Sequence, residues 1–400
     1  MRLTETGAPL ATAVRDRHLS AVLAALMDKP LARKEIAERT GISFTTITVL
    51  AQFLIASGLV EEVASSAPAR SRGRPRTPLR LVEGRRGKVV LGINIGDSDV
   101  ACAAYSLTGE RIEAAEEAVP GREPGQVLEG VASLARGVVE RIGRSRVLGV
   151  GVSTGGVIDF EGGRVVYGPL RGWKDVEVRA YLTETLGVPV VVDESVRTLA
   201  LLRLWWEREQ ADSMMVVFAQ RVVGSALVIH GELYRGPGAT AGDISHMPVA
   251  GGPGIQCPCG AVDCAGMLLT NTAVLERAIE LGLLPPAAPP SAINATAGAN
   301  AEQLGELRRE RAVRLGETIG HLLEIIDPEK LILVGGIGTA DEVELCLDTA
   351  RRRGRTTTGR SGHQIEHWSY DHSIWARASA ALALDEVMRH PTRSLDAVSG

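Results

Sequence analysis

The chain has 400 residues, 45% of them apolar and 23% charged, the make-up of a globular protein of two or three domains and not of a disordered or fibrous one. No stretch approaches roughly 18 uninterrupted apolar residues and residues 1–10 hold no apolar run, so a cytoplasmic protein is expected, with neither a membrane span nor a signal peptide. The formal charge of −4 conceals an asymmetry, 15 basic against 8 acidic residues up to Lys88 and 29 against 40 after it, and a basic head on an acidic body suits a polyanionic partner for the head.

In chain order, residues 18–28 carry Leu19, Val22, Leu23 and Leu26 at helical spacing, and Pro30 ends the run. Residues 33–39 form a short second helix, and Thr40-Gly41 a tight turn. Ser43 is then the N-cap of a third helix reaching about Ala56, with Ile47, Leu50, Leu54 and Ile55 as its buried stripe and Gly58 as its stop. Helix, helix, glycine turn, helix is the layout of a helix-turn-helix, whose last helix enters the major groove of DNA. Ser43, Phe44, Thr45, Thr46 and Thr48 lie off the stripe; threonine bonds base edges or phosphates, and its methyl meets thymine. The competing reading is a plain three-helix dimerisation bundle.

Residues 59–63 read as a strand opening a wing. The Ser/Pro/Arg-rich stretch after it places Arg70, Arg72, Arg74 and Arg76 at every second position. An extended run of this kind fits a narrow minor groove, or else serves as a solvated basic linker. The expected divisions are a DNA-binding domain over 1–69, a linker over 70–87, a small α/β lobe over 88–195 with about 373–390, and a large lobe over 196–372.

The body alternates strands and helices. Strands are expected at 89–96, 100–107, 147–152, 188–192, 214–219, 225–229 and 331–334, and helices at 127–142, 198–207 and 315–326. Strands that run into glycine loops and alternate with helices indicate an α/β fold with ligands at the strands' carboxyl ends. Residues 285–300, rich in Ala and Pro, read as a loose surface loop.

The most informative stretch is 246–264, which reads His-x10-Cys-x-Cys-x4-Cys through His246, Cys257, Cys259 and Cys264. Zn²⁺ takes four N/S ligands tetrahedrally, and a complete Cys₃His set leaves no position for a reacting water, so structural zinc is the expected cofactor. The other cysteines, Cys102 and Cys346, are isolated and read as buried thiols of a reducing compartment.

Gly231-Glu-Leu-Tyr-Arg-Gly, Ala241-Gly-Asp-Ile-Ser-His and Cys257-Pro-Cys-Gly followed by Cys264 resemble the ROK family, repressors, open reading frames and sugar kinases. The resemblance spans about 88–390. It implies an actin/hexokinase-like body of two lobes, and the head fits the family's repressors, which carry a winged helix-turn-helix. The kinases of the family read Asp-Ile-Gly-Gly-Thr at the first phosphate loop, where this chain has Asn94-Ile-Gly-Asp97-Ser98. Their second loop, Gly-Thr-Gly-Ile-Gly, is matched by Gln220-Arg-Val-Val-Gly224. Their Val-Glu-Asn-Asp-Ala-Asn corresponds to residues 192–197, which puts Ser195 at the position of the catalytic aspartate. A serine hydroxyl is a poor proton acceptor at neutral pH, so no catalytic residue, no ATP and no enzymatic activity are expected.

The family's sugar shell, carried over position by position, meets Pro169 near the Asn expected before Gly172-Trp173, Glu194-Ser195 for Asn-Asp, Asp243 for Glu, His246 unchanged and Gly266 for the last Glu, and the ligand candidates are Gly155, Trp173, Glu194, Ser195, Asp243 and His246. Several of these types are altered, so the ligand is either a sugar derivative or, in a degenerate pocket, a non-sugar or nothing. The resulting expectation is a repressor that binds operator DNA as a dimer or dimer of dimers. The alternatives are an ATP-dependent sugar kinase and a sensor without DNA contact.

Overall fold

The computed structural model describes residues 10–63, 77–119, 121–169, 171–295, 297–354 and 363–399. It falls into two units, Met1–Arg208 with Ser373–Gly400, and Glu209–His372.

The first unit begins with helices Leu10–Leu26, Arg33–Thr40 and Phe44–Ala56. Gly41 takes φ +70° and its N–H closes the second helix on Ala37 O, while Ser43 Oγ accepts from Thr46 N and opens the third. Ile47, Leu50, Ala51 and Leu54 are buried and Ile55 is only half-buried, so the stripe runs through Ala51 instead. A three-stranded antiparallel sheet follows, with Pro78–Leu81 between Leu31–Ala32 and Val60–Glu62. This corrects the expected boundaries. Leu79 and Leu81 are buried strand residues of the head, so the head does not stop at residue 69 and a linker does not begin at 70. Arg70, Arg72, Arg74 and Arg76 fall on the connection between two paired strands, which lies outside the described residues.

The unit's main sheet has the order Val190–Glu194, Val147–Thr154, Val89–Ile95, Asp99–Ser106, Arg111–Ala118. The first three strands are parallel and the last two add an antiparallel meander. Side chains alternate between faces of a strand. Val89, Leu91, Ile93 and Ile95 share a core with helices Pro124–Ile142 and Val178–Leu186. On the other face, Gly92 and Gly151 are register partners and lie under helix Ile374–Arg389. A Cβ on Gly92 would stand 1.9 Å from Ala376 O, and one on Gly151 1.9 Å from Ser379 O. Helix Ser195–Trp205 also belongs to this unit, with Trp205 Nε1 donating to Asp385 at 3.0 Å. The chain therefore passes to the second unit after Arg208 and not at 196.

The second unit repeats the pattern. Its sheet order is Glu232–Tyr234, Val223–Ile229, Ser213–Ala219, Lys330–Val334, Gln364–Trp368, an antiparallel meander followed by two parallel steps. Helices Ala301–Ile326 and Ala340–Arg353 pack together, with Gly316 accommodating Cys346 O and Thr349. The first of these starts well before the expected 315, because Arg308 and Arg311 sit buried where the apolar stripe would be. Residues 285–300 are not uniformly loose. A turn of 3₁₀ helix, Pro290–Asn294, buries Ile293, whose carbonyl accepts from Arg308. Among the described residues no single helix is long and apolar enough to cross a membrane.

Backbone contact at Gly92 leaves no room for a methyl group, so Gly92→Ala is expected to lower unfolding stability by about 2 kcal/mol or more. Gly137→Ala, in a helix where the new Cβ meets only Arg141 Nη1 at 3.5 Å, is expected to be neutral or stabilising by up to about 1 kcal/mol. Urea unfolding of both variants checks the pair, and equal effects would refute the close-packing account.

Candidate functional site

The cysteine-rich loop is a small hairpin. Pro248 bridges Cys264 and Gln256 bridges Val262, and Cys257 N donates to Ala261 O at 2.8 Å. Asp263 holds it closed. Its carboxylate accepts from Gly254 N at 3.0 Å and Ile255 N at 2.8 Å, with its own φ at +54°. Sequence reading passed over Asp263, whose one signal is an aspartate directly before the last cysteine, in a loop rich in free N–H groups.

The hairpin brings the ligand atoms of His246, Cys257, Cys259 and Cys264 within 4.8 Å of one another. Cys257 Sγ is 3.4 Å from His246 Nδ1, and Cys259 Sγ is 3.6 Å from Cys264 Sγ. Two sulfurs at tetrahedral bonds of about 2.3 Å stand about 3.8 Å apart, so the donor set and its spacing fit a four-coordinate ion. The histidine turns Nδ1 to the thiols, which leaves Nε2 for another partner. Without a cation the thiols compete for protons. Cys264 is pushed up to about 12, first by burial and then by hydrogen bonds to Cys257 and Cys259. Cys259 is lowered to about 7, first by the Ala261 N–H. A bound metal requires thiolates, and its charge removes that competition.

The positions matching kinase loops are occupied by the protein's own polar groups. Asn94 is buried and donates to Ser153 Oγ at 2.9 Å, and Ser153 Oγ bonds Ser379 Oγ at 2.7 Å. The amide ties sheet to helix. At the phosphate-loop turn, Gly96 N donates to Asp99 O at 2.9 Å, and Arg171, 4% exposed, bonds the carbonyls of Gly96, Val119 and Gly121. In the second unit, Gln220 N donates to Val222 O, and Gln220 Oε1 accepts from Tyr370 at 2.8 Å. After Gly335-Gly336-Ile337-Gly338, the next helix begins with a capping box in which Glu342 accepts from Thr339 N at 2.9 Å.

Asp193 is fully buried and pairs with Arg197 at 3.0 Å. Glu194 caps helix Ser195–Trp205, its Oε2 accepting from Val196 N at 2.8 Å and Arg197 N at 3.2 Å. Burial pushes its pKa up to about 7, against the pull of those N–H groups. Of the other ligand candidates in this unit, Gly155 and Ser195 are half-buried at strand and helix ends. Trp173 is a correction. It is 2% exposed within the core, with its indole N–H on Arg122 O, and has no face left for a ligand. In the second unit Asp243 is exposed, with Oδ1 accepting from Ser245 N and Oγ, and His246 is exposed.

On the helix Phe44–Ala56 the expected DNA contacts divide. Ser43 Oγ and Thr46 Oγ1 bond each other at 2.8 Å, and Thr48 Oγ1 donates to Phe44 O, so these hydroxyls serve the helix. Phe44 is 56% exposed and Thr45 exposed. Val49, absent from the sequence reading, is 60% exposed. Its signal was its place two residues past Ile47, off the buried stripe.

The family model described as the ROK family matches residues 90–355. A transcriptional regulator of Mycobacterium tuberculosis is 30% identical over 324 residues, covering 77% of this chain and 71% of that protein. The DNA-binding transcriptional dual regulator NagC of Escherichia coli is 24% identical over 372 residues, 88% of this chain and 89% of that one. A solved ROK family transcriptional regulator, a homolog of the E. coli Mlc protein, superimposes with a TM-score of 0.79 at 16% identity, over 97% of this chain and 100% of that one.

Elemental analysis of the purified protein is expected to find one tightly held divalent metal per chain, lost together with thermal stability in Cys264→Ser; full metal content in that variant would remove the site. Glu194 supplies a second test. Its folded pKa, about 7, exceeds the unfolded value of 4.5, so between these values the folded state binds more protons and its stability falls as pH rises. Relative to Glu194→Gln, the wild type is therefore expected to lose stability across that window in thermal melts. Parallel pH profiles for the two proteins would contradict the assignment.

Proposed function

The chain belongs to the ROK family, and we propose that within it this protein is a DNA-binding transcriptional regulator, a repressor of carbohydrate-related genes, and not a sugar kinase. The observation that carries this reading is the head. A helix opened by Ser43 presents Phe44, Thr45 and Val49 to solvent, beside a three-stranded sheet, and the likeness to a ROK regulator runs through the head as well as the body. As a winged helix-turn-helix, the head sets this helix in the major groove. Phe44, Val49 and the Thr45 methyl meet thymine methyls there. Arg70, Arg72, Arg74 and Arg76 supply phosphate or minor-groove contacts.

The protein works in the cytoplasm as a dimer or dimer of dimers, as half-site recognition requires. His246, Cys257, Cys259 and Cys264 hold a structural Zn²⁺, whose chemistry is to fix the fold of the loop. Within the first unit Gly155, Glu194 and Ser195 are candidate contacts for a sugar-derivative effector, and within the second unit, taken by itself, Asp243 and His246 are. The relatives include a protein named N-acetylglucosamine repressor and another named xylose repressor, which supports a carbohydrate ligand class. The absence of kinase activity follows from Ser195 at the base position and from the internally bonded loops at Gly96 and Gln220.

Fluorescence anisotropy on the duplex upstream of the protein's own coding sequence, with a panel of sugars and sugar phosphates, tests the reading. Tight, salt-dependent binding is expected, with Phe44→Ala and Thr45→Ala each weakening it by about ten-fold. One panel compound should release the DNA, and Asp243→Asn should blunt that release. ATP turnover together with no specific DNA binding would overturn the assignment.

A further inference from the structure

The second unit contains a cavity of about 230 Å³ between the stretch leading to Cys257 and helices Asn271–Glu280 and Ala301–Ile326. Leu268, Val274, Leu281 and Leu307 give it an apolar wall, and Arg277, Arg311 and Arg314 contribute guanidinium groups. Two of these are compensated nearby, Arg277 by Glu280 at 3.1 Å and Arg314 by Glu310 at 2.7 Å. Arg311 is different. It is 2% exposed, and its Nη atoms bond only the neutral oxygens of Asn271 Oδ1 and Ile337 O. Among the described residues its Nε has no partner.

The surrounding charge does not balance. Arg308 and Glu342, each 4% exposed, pair with one another at 2.8 Å, and Glu342 also caps the helix that follows. Cys346 is a buried thiol pushed up to about 12 and so supplies no negative charge at neutral pH. Two buried guanidiniums thus face one buried carboxylate. Burying an uncompensated charge costs several kcal/mol even after relaxation, and an orphaned buried donor adds to that. An anion in the adjoining cavity would offset both.

We propose that this cavity binds a small organic anion, a carboxylate or phosphate ester on a short apolar body, whose charge pairs with Arg311. The apolar wall selects the body and the guanidinium selects the head, the combination of a mostly apolar pocket with few placed polar groups. Neither Asp243 nor His246 lines the cavity, so the site is distinct from the proposed effector residues and does not depend on the DNA-binding assignment.

Isothermal titration of the full-length protein with hexanoate, benzoate and phenyl phosphate, each against its neutral counterpart hexanamide, benzamide or phenol, tests it. At least one anion is expected to bind about ten-fold or more tightly than its neutral analogue, as a charge-assisted hydrogen bond requires. Binding by the carboxylates alone, or by the phosphate ester alone, identifies the head group. Arg311→Met should bring the anion down to the neutral compound's affinity, and Leu307→Trp, which fills the cavity, should abolish binding of both. Should Arg311→Met not fold, the anion-to-neutral ratio and Leu307→Trp still decide. Equal affinities, no binding by any anion, or unchanged binding in Leu307→Trp would each overturn the proposal.

Discussion

The first unit depends on helix Ile374–Arg389 lying against its sheet closely enough to touch backbone. Gly92 and Gly151 make that possible, side by side on neighbouring strands, and the helix answers with small residues, Ala376, Ala378, Ser379 and Ala380, all buried. Apolar area alone would be modest for such side chains; close approach and hydrogen bonds replace it. Asn94, Ser153 and Ser379 form a chain of hydrogen bonds across the contact. The same helix anchors the head. Ser20 Oγ donates to Met388 O, and from the helix that follows, Pro391–Ser399, Thr392 N donates to Asp16 at 3.0 Å. Residues 374–399 thus hold both the sheet and the first helix of the head.

At the positions that resemble the kinase loops, backbone N–H groups are engaged within the protein. A phosphate loop works because its N–H groups are kept free to meet an anion. In this chain Gly96 N has found Asp99 O, Gln220 N has found Val222 O, and the helix after Gly338 is capped by Glu342. Buried polar groups are bonded as a rule, and these internal partners satisfy the turns without a ligand. Arg311 Nε and Arg171 Nη2 are among the described exceptions, buried without a hydrogen-bond partner.

Much of this was legible in the sequence, for definite reasons. The head's three helices were readable from Leu19 to Leu54 because their apolar residues keep helical spacing and Ser43, Gly41 and Gly58 mark the ends. The metal cluster was readable because its ligands crowd into one hairpin. The strand Pro78–Leu81 was not, since a stretch rich in Arg, Ser and Pro precedes it and its partner Val60–Glu62 lies on the far side of that stretch. Strand Arg111–Ala118 is a mostly exposed edge with charged residues, so its apolar alternation is weak. Helix Ile374–Arg389 is buried nearly all round and has no polar face to give a period. Arg308 and Arg311 hid the first half of their helix by placing charge inside.

Glu194 shows why pKa and geometry must be weighed together. A carboxyl raised to about 7 in a strand-to-helix turn resembles a poised general base. Its raised value, however, comes first from burial, and its Oε2 already accepts from Val196 N and Arg197 N. Moving that oxygen toward a substrate hydroxyl would leave two buried helix N–H groups without partners, at a cost of about 1–3 kcal/mol each. Ser195, at the position where the kinases of this family carry their aspartate, offers no alternative acceptor. Glu194 Oε2 therefore serves the helix it starts, and a hydroxyl-bearing ligand placed beside the turn would meet a surface suited to recognition.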